Sequence, residues 1–253
     1  MKRFIKTILL ILFSTLGISS ILWSEPYLGT KSPEEPKNIG DIVFNDGSAT
    51  PYKTKLKLSD EQKAAAIAVI FYTGTDCSDD GKNRTLGLGL QYSQNRLQYC
   101  ELQASSRFES IDTIYDTTKN GSKNLNKIGE WLKEHNKIDD TDNSSKYPAF
   151  YYAINYNEYT TNLNLFSSDW YLPSKAEFEK IFKKKKIIDA VCKLCEVPLF
   201  KNAFYWTATQ SHLKNFNFDL SANAFIISFK DGYCLDQGTD KNNVAYACSI
   251  KEF

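Results

Sequence analysis

Histidine is nearly missing from this sequence, and so is any excess of charge. The 253 residues include two histidines, His135 and His212. They stand in different surroundings, and neither has metal-ligand or triad spacing. His135 closes a predicted helix, where a cation suits the dipole. His212 falls in a polar loop after Thr207-Ala208-Thr209-Gln210. A formal net charge of +1 removes the general case for a nucleic-acid or polyanion partner. No cysteine pair complements Cys192-Lys193-Leu194-Cys195 at a zinc spacing. No internal repeat is evident.

Aromatic residues, by contrast, are plentiful. They make up 14% of the chain, with 15 Tyr and 16 Phe, a composition that calls for a packed domain. The chain starts with Lys2, Arg3 and Lys6, then an apolar stretch from Ile8 to about Trp23. We read residues 1–24 as a secretory signal with cleavage after Ser24. The alternative is an uncleaved anchor, since the stretch is marginal for a membrane span. In both cases the remainder is exported, to the periplasm, the outer surface or the medium. Membrane contact is expected only through that segment. Residues 25–38 hold three prolines and little apolar content, and read as a flexible lead-in. A single domain over 39–253 is expected.

Six cysteines suit an exported chain: Cys77, Cys100, Cys192, Cys195, Cys234 and Cys248. Sequence alone does not fix their pairing. Local spacing suggests 77–100, 192–195 and 234–248 as disulfides.

Ile42 to Phe44 is a strand candidate, followed by an Asn45-Asp46-Gly47 turn. Ser59 with Gln62 forms a capping box that opens a short helix. Ile67 to Tyr72 is β-branched and aromatic, and reads as a buried strand. Residues 85–93 are a second strand, loosened by Gly87 and Gly89. Leu125, Ile128 and Leu132 mark an amphipathic helix after Ser122. Residues 149–156, aromatic on both faces, are expected to be a strand.

At Trp170-Tyr171-Leu172-Pro173-Ser174 the chain turns a corner. Proline keeps Leu172 extended. Ser174 and Glu177 then form a second capping box. Phe178, Ile181, Phe182, Ile188 and Cys192 give an apolar stripe down one helix of about five turns. The stripe lapses at Lys183 to Lys186, a run read as a solvated face. The acidic residues of this corner are explained by local structure. Phe204 to Thr209 is a strand. Ala224 to Phe229 and Tyr233 onward flank a Lys230-Asp231-Gly232 hairpin turn. Residues 244–250 form the last strand.

The order of "WYLPSKAEF", "YWTAT", Phe229-Lys230-Asp231-Gly232 and the ending "AYACSIKEF" resembles the C-terminal domain family of the Legionella collagen-like adhesin. The front half, in "IGDIVFNDGSA", "DEQKAAAIAVIFYTGT" and "SKYPAFYYAINY", is similar to a treponemal, exported subset of that family. The resemblance implies an α+β, C-type-lectin-like domain with two main helices and a mostly antiparallel sheet. It is also distantly similar to the formylglycine-generating enzymes. Ser174 and Phe178 stand at the equivalents of the Thr and Trp in their Leu-Pro-Thr-x-x-Glu-Trp corner. The chain departs from both branches at its end, where Ala247-Cys248-Ser249-Ile250 replaces a Gly-Phe-Arg pattern. Cys234 and Cys248 lack the flanks of the copper-binding cysteines in those enzymes. The Glu-Pro-Asn and Trp-Asn-Asp signatures of calcium-dependent lectins do not occur.

No catalysis, cofactor or metal is therefore expected. The Cys192/Cys195 pair ends a helix, where the dipole does not favour a thiolate, so a structural bridge is the simpler reading. Asp236 and Asp240, with Asn242 and Asn243, offer oxygens for a hard cation, but their spacing is not that of an EF-hand and a solvated loop is the simpler reading. The exposed loops after residues 210 and 234 mix rings with amides, which suits a sugar or peptide ligand. Trp206, Phe216, Asn217, Tyr233, Asp236, Gln237 and Asn242 are the candidate contacts. The expected function is an exported, non-catalytic adhesin or receptor-like binder of an unknown glycan or protein. The alternatives are a cysteine-dependent oxidase or redox protein and a structural envelope protein.

Overall fold

A computed structural model describes residues 27–115, 117–211 and 221–253. The predicted signal segment, His212, Phe216 and Asn217 lie outside the described residues.

Strands β1 (Asp41–Phe44) and β2 (Ala49–Pro51) form a hairpin closed by Asn45-Asp46-Gly47. Gly47 has φ +84°, the left-handed turn geometry that glycine tolerates. Asp46 accepts the Ser48 amide at 2.9 Å and hydroxyl at 2.6 Å, and the Leu28 amide at 2.9 Å. The Asp46–Leu28 bond ties down the segment expected to be a flexible lead-in. Lys31 adds a backbone bridge to Ala49 and an ion pair to Asp41 at 2.6 Å. The described part of the lead-in is docked on the hairpin edge.

Helix α1 (Asp60–Ala65) carries the expected Ser59/Gln62 capping box and runs straight into β3 (Ala66–Gly74). β4 (Arg84–Tyr92) pairs antiparallel with β3, and β10 (Cys248–Glu252) pairs with β4. The sheet order is β10-β4-β3-β1-β2. Both faces are covered, which is why β3 reads as a continuous apolar run. Val43, Ala68 and Ile70 face one core, while Ile42, Phe44, Val69, Phe71, Leu86 and Leu88 face the other. The glycines of β4 make room for rings on the first face. A Cβ at Gly87 would lie 2.5 Å from Phe253, and one at Gly89 would lie 2.7 Å from Tyr156.

The first core is roofed by α2 (Asn124–Glu134) and α3 (Pro148–Ile154). Leu125, Ile128 and Leu132 bury the predicted stripe of α2, each contributing about 1.5–3 kcal/mol. The strand expected over 149–156 is instead helix α3. Pro148 sits at its first turn, a position that favours helix entry. A run buried on most sides has no period to separate strand from helix.

The second core is roofed by α4 (Lys175–Lys183) and α5 (Lys185–Leu194). These replace the single long helix expected. The break falls at Lys184, inside the lysine run, and lets Phe178, Ile181, Ile188, Val191 and Cys192 all enter the same core. Among the described residues there are five α-helices, more than the two main ones expected.

Two smaller sheets complete the α+β fold. β5 (Leu97–Gln98) pairs with β9 (Val244–Ala245). β6 (Phe204–Gln210), β7 (Asn223–Ser228) and β8 (Thr239–Asp240) form an antiparallel three-stranded sheet. The hairpin return after Gly232 is a single bridge, Ile227 to Cys234, before pairing resumes at β8. The predicted last strand is split: Tyr246 leaves β9 to bond the backbones of Phe204 and Trp206.

None of the six cysteines is bonded to another in this structure. Cys77 and Cys100 belong to opposite cores, so the pairing suggested by spacing crosses the central sheet. Cys192 and Cys195, and likewise Cys234 and Cys248, share the second core without a bond. No helix among the described residues is long and apolar enough to cross a membrane.

Candidate functional site

The corner at Trp170 to Phe178 is a structural joint. Ser174 caps α4, and Glu177 completes the capping box. Glu177 is fully buried. Its Oε1 accepts Arg84 Nη1 and the Tyr171 hydroxyl, each at 2.8 Å. Its Oε2 accepts the amides of Ser174 at 2.8 Å and Gly121 at 3.1 Å. Arg84 also donates to the Cys77 carbonyl at 2.6 Å, the Tyr171 hydroxyl at 2.7 Å and Glu252 at 2.9 Å. Burial pushes the Glu177 carboxyl up, and the Arg84 guanidinium opposes that push. Glu177 and Arg84 are thus occupied by one another and by their neighbours, and of this cluster Glu252 is the member that reaches solvent.

The thiols are likewise turned inward. Burial pushes Cys77, Cys192 and Cys195 up to about 12, and Cys100 and Cys234 up to about 11. Cys248 is raised by the same cause. A thiolate nucleophile needs the opposite environment. His135 is held locally, stacked on Trp131 at 3.8 Å with Nδ1 2.8 Å from the Trp131 carbonyl. Among the described residues no group of three or more His, Cys, Asp or Glu is placed to hold a metal ion. Asp240, one of the candidate oxygen donors, is bound to Arg107.

One feature with binding geometry is a cleft of about 590 Å³ between β6, the hairpin after β7 and β9. Phe204, Tyr233 and Val244 project into it, exposed by 37%, 53% and 53%. Three large apolar side chains left in solvent at one concavity are the mark of an interaction site. Arg96 and Lys230 also line it and supply positive charge. Arg96 lies 5.8 Å from the centre of the Tyr246 ring. Asp231 is the cleft's lining carboxylate. Hydrogen bonds from Ser228 and the Tyr233 amide lower its carboxyl. Asn243 Nδ2 donates to Thr239 Oγ1 at 2.7 Å, leaving its carbonyl oxygen available.

The cleft is preformed. Gly232 has φ +76°, and a Cβ there would lie 2.4 Å from Phe182, so the hairpin tip is seated against α4. The Ser228 amide donates to the Tyr233 carbonyl at 2.8 Å, fixing the tyrosine backbone.

Of the candidate contacts named from sequence, Tyr233 lines this cleft. Trp206 does not: it is fully buried, and its Nε1 donates to the Leu97 carbonyl at 2.6 Å. Asp236 and Gln237 are exposed on the following loop, outside the cleft lining. Asn242 is half-buried and engaged through its backbone by Asp240 and Gln98, while its neighbour Asn243 lines the cleft. Arg96, Phe204 and Val244 were not singled out by sequence. Phe204 opens a strand whose other residues are buried, so pattern alone reads it as core.

No family model matches the chain, and no curated protein matches it in sequence. In structure it is similar to a fimbrial protein from Bacteroides ovatus, with a TM-score of 0.56 at 16% identity. The match covers 86% of this chain and 49% of the other, so the chain spans about half the length of that protein. Likeness at this identity concerns the fold, and the fold it supports is α+β.

Proposed function

We propose that this chain is an exported, non-catalytic binding protein with an adhesin-like role. The observation that carries the proposal is the convergence of Phe204, Tyr233 and Val244 with Arg96 and Lys230 on one preformed cleft. Apolar rings beside two cations fit a ligand that is apolar and acidic together. A protein segment with acidic and aromatic side chains meets that description best. The fimbrial neighbour supports a place at the cell surface. The buried, raised thiols speak against the oxidase alternative.

The experiment is an array of immobilised peptides that pair Asp or Glu with aromatic residues, set beside basic and neutral peptides. The purified chain should retain the acidic-aromatic set, and Arg96→Ala should lose it. Equal retention of basic peptides, or an unaffected Arg96→Ala, would sink the proposal.

A further inference from the structure

A second cleft, of about 600 Å³, opens on the other side of the segment 94–97. It shares no lining residue with the first. Its wall is aromatic: Tyr92, Tyr151, Tyr152 and Tyr159, with Tyr159 exposed by 52% and its ring 4.7 Å from that of Tyr152. Its rim is polar. The side chains of Gln91, Gln94, Asn95 and Glu158 have no hydrogen-bond partner among the described residues. Glu101 has a single, long ion pair to Lys146 at 3.6 Å.

The charge differs from that of the first cleft. No Lys or Arg lines this one, while Glu101 and Glu158 do. An acidic ligand is repelled here. A ligand able to use open amides and carboxylates is rich in hydroxyl groups, each both donor and acceptor. One that also stacks on tyrosine faces presents flat patches of C–H between those hydroxyls. Neutral sugars have both properties.

The cleft continues into a neighbouring space. Gln91, Tyr92 and Gln94 also line an adjoining pocket of about 210 Å³, bounded by Pro198 and Lys201. The Lys201 ammonium there is turned onto the Tyr246 hydroxyl at 2.9 Å. The walls are pinned. The Glu101 amide donates to the Lys146 carbonyl at 2.9 Å, and Ser145 is held by Asn143 at 2.8 Å. The Gln91 amide donates to the Tyr156 hydroxyl at 2.9 Å beneath the floor.

We infer that the cleft lined by Tyr151, Tyr159, Gln94 and Asn95 is a second binding site, and that it takes a neutral oligosaccharide. This site is independent of the acidic-ligand cleft. The chain would thus engage two kinds of surface group at once, on either side of the strip from Gln94 to Leu97.

The test uses the exported chain and neutral tetrasaccharides of glucose, of N-acetylglucosamine and of the lacto series, with sialylated and sulfated counterparts as controls. Saturation-transfer NMR and tyrosine fluorescence read the binding. At least one neutral tetrasaccharide should bind, with its charged counterpart at least tenfold weaker. Tyr159→Ala and Asn95→Ala, both at exposed positions, should each weaken binding several-fold to tenfold with unchanged melting. A Phe204→Ala/Tyr233→Ala double variant should bind the sugar as the wild type does. Loss in that double variant, rather than in Tyr159→Ala, would assign the sugar to the first cleft and overturn the inference. So would equal binding of charged sugars, or no binding across the neutral set.

Discussion

Arg84 and Glu177 lie 93 positions apart in the chain and meet at 2.8 Å, with side chains exposed by 5% and 0%. The pair joins β4 to the first turn of α4 and so locks the central sheet to the second helical layer. Glu177 is also the third residue of the α4 capping box, so one carboxylate closes a helix and neutralises a buried cation.

Glu177→Ala should cost about 3–5 kcal/mol, because it strands the Arg84 charge in the interior. At this chain length each kcal/mol is worth roughly 2–4 °C, so the melting temperature should fall by about 10 °C. Arg84→Met/Glu177→Leu should recover part of the loss, since no charge is left unpaired. Thermal unfolding by circular dichroism measures both. A loss below about 1 kcal/mol for Glu177→Ala would contradict the role assigned to the pair.

Lys241 is buried, and its Nζ donates to the carbonyls of Ser106 and Glu109 at 3.1 Å each. Burial lowers it from 10.5 to about 7. Cys100, Arg107, Glu109 and Asp240 are the other titratable groups around it. Between those two values the unfolded chain holds a proton that the folded chain has released. Stability should therefore rise with pH from about 7 toward 10.5 by up to about 1.4 kcal/mol per unit, and this lysine should add no pH dependence below about 7, where both states hold the proton. Urea unfolding at pH 7, 8 and 9 should show the rise in the wild type and a flatter line in Lys241→Met. Equal slopes would contradict the shifted lysine.

The six thiols give a chemical count. In denaturant all six should react with a thiol reagent, because none is bridged. In the native state five should be silent, with half-buried Cys234 reacting first. Protein recovered from its own compartment should be used. No reactive thiols after denaturation would restore the disulfide framework that the cysteine spacing suggests.

Local chemistry made much of this fold legible in the sequence. Both capping boxes, at Ser59/Gln62 and Ser174/Glu177, stand where side-chain spacing placed them. The Leu125-Ile128-Leu132 stripe packs as its helical period requires. What failed was non-local or without period. Helix α3 is apolar even where it is not buried, at Tyr151 and Ile154, so its sequence shows no helical repeat. The lysine run hid a break between two helices. Cysteine spacing did not reveal that Cys77 and Cys100 lie in opposite cores. The first cleft was legible at Tyr233, where a turn signal announces an exposed loop. It was not legible at Phe204, Arg96 or Val244, which meet only because Tyr246 ties β9 to the start of β6. Trp206 looked like a contact for its type, but its indole N–H is used by Leu97.

The most direct measurement is the affinity of the best-retained acidic-aromatic peptide for the first cleft, by calorimetry at low and at physiological salt. Tyr233→Ala should weaken binding at least tenfold, about 1.4 kcal/mol, without moving the melting temperature. Arg96→Ala should remove most of the salt dependence. Wild-type affinity in both variants would contradict a binding role for this cleft.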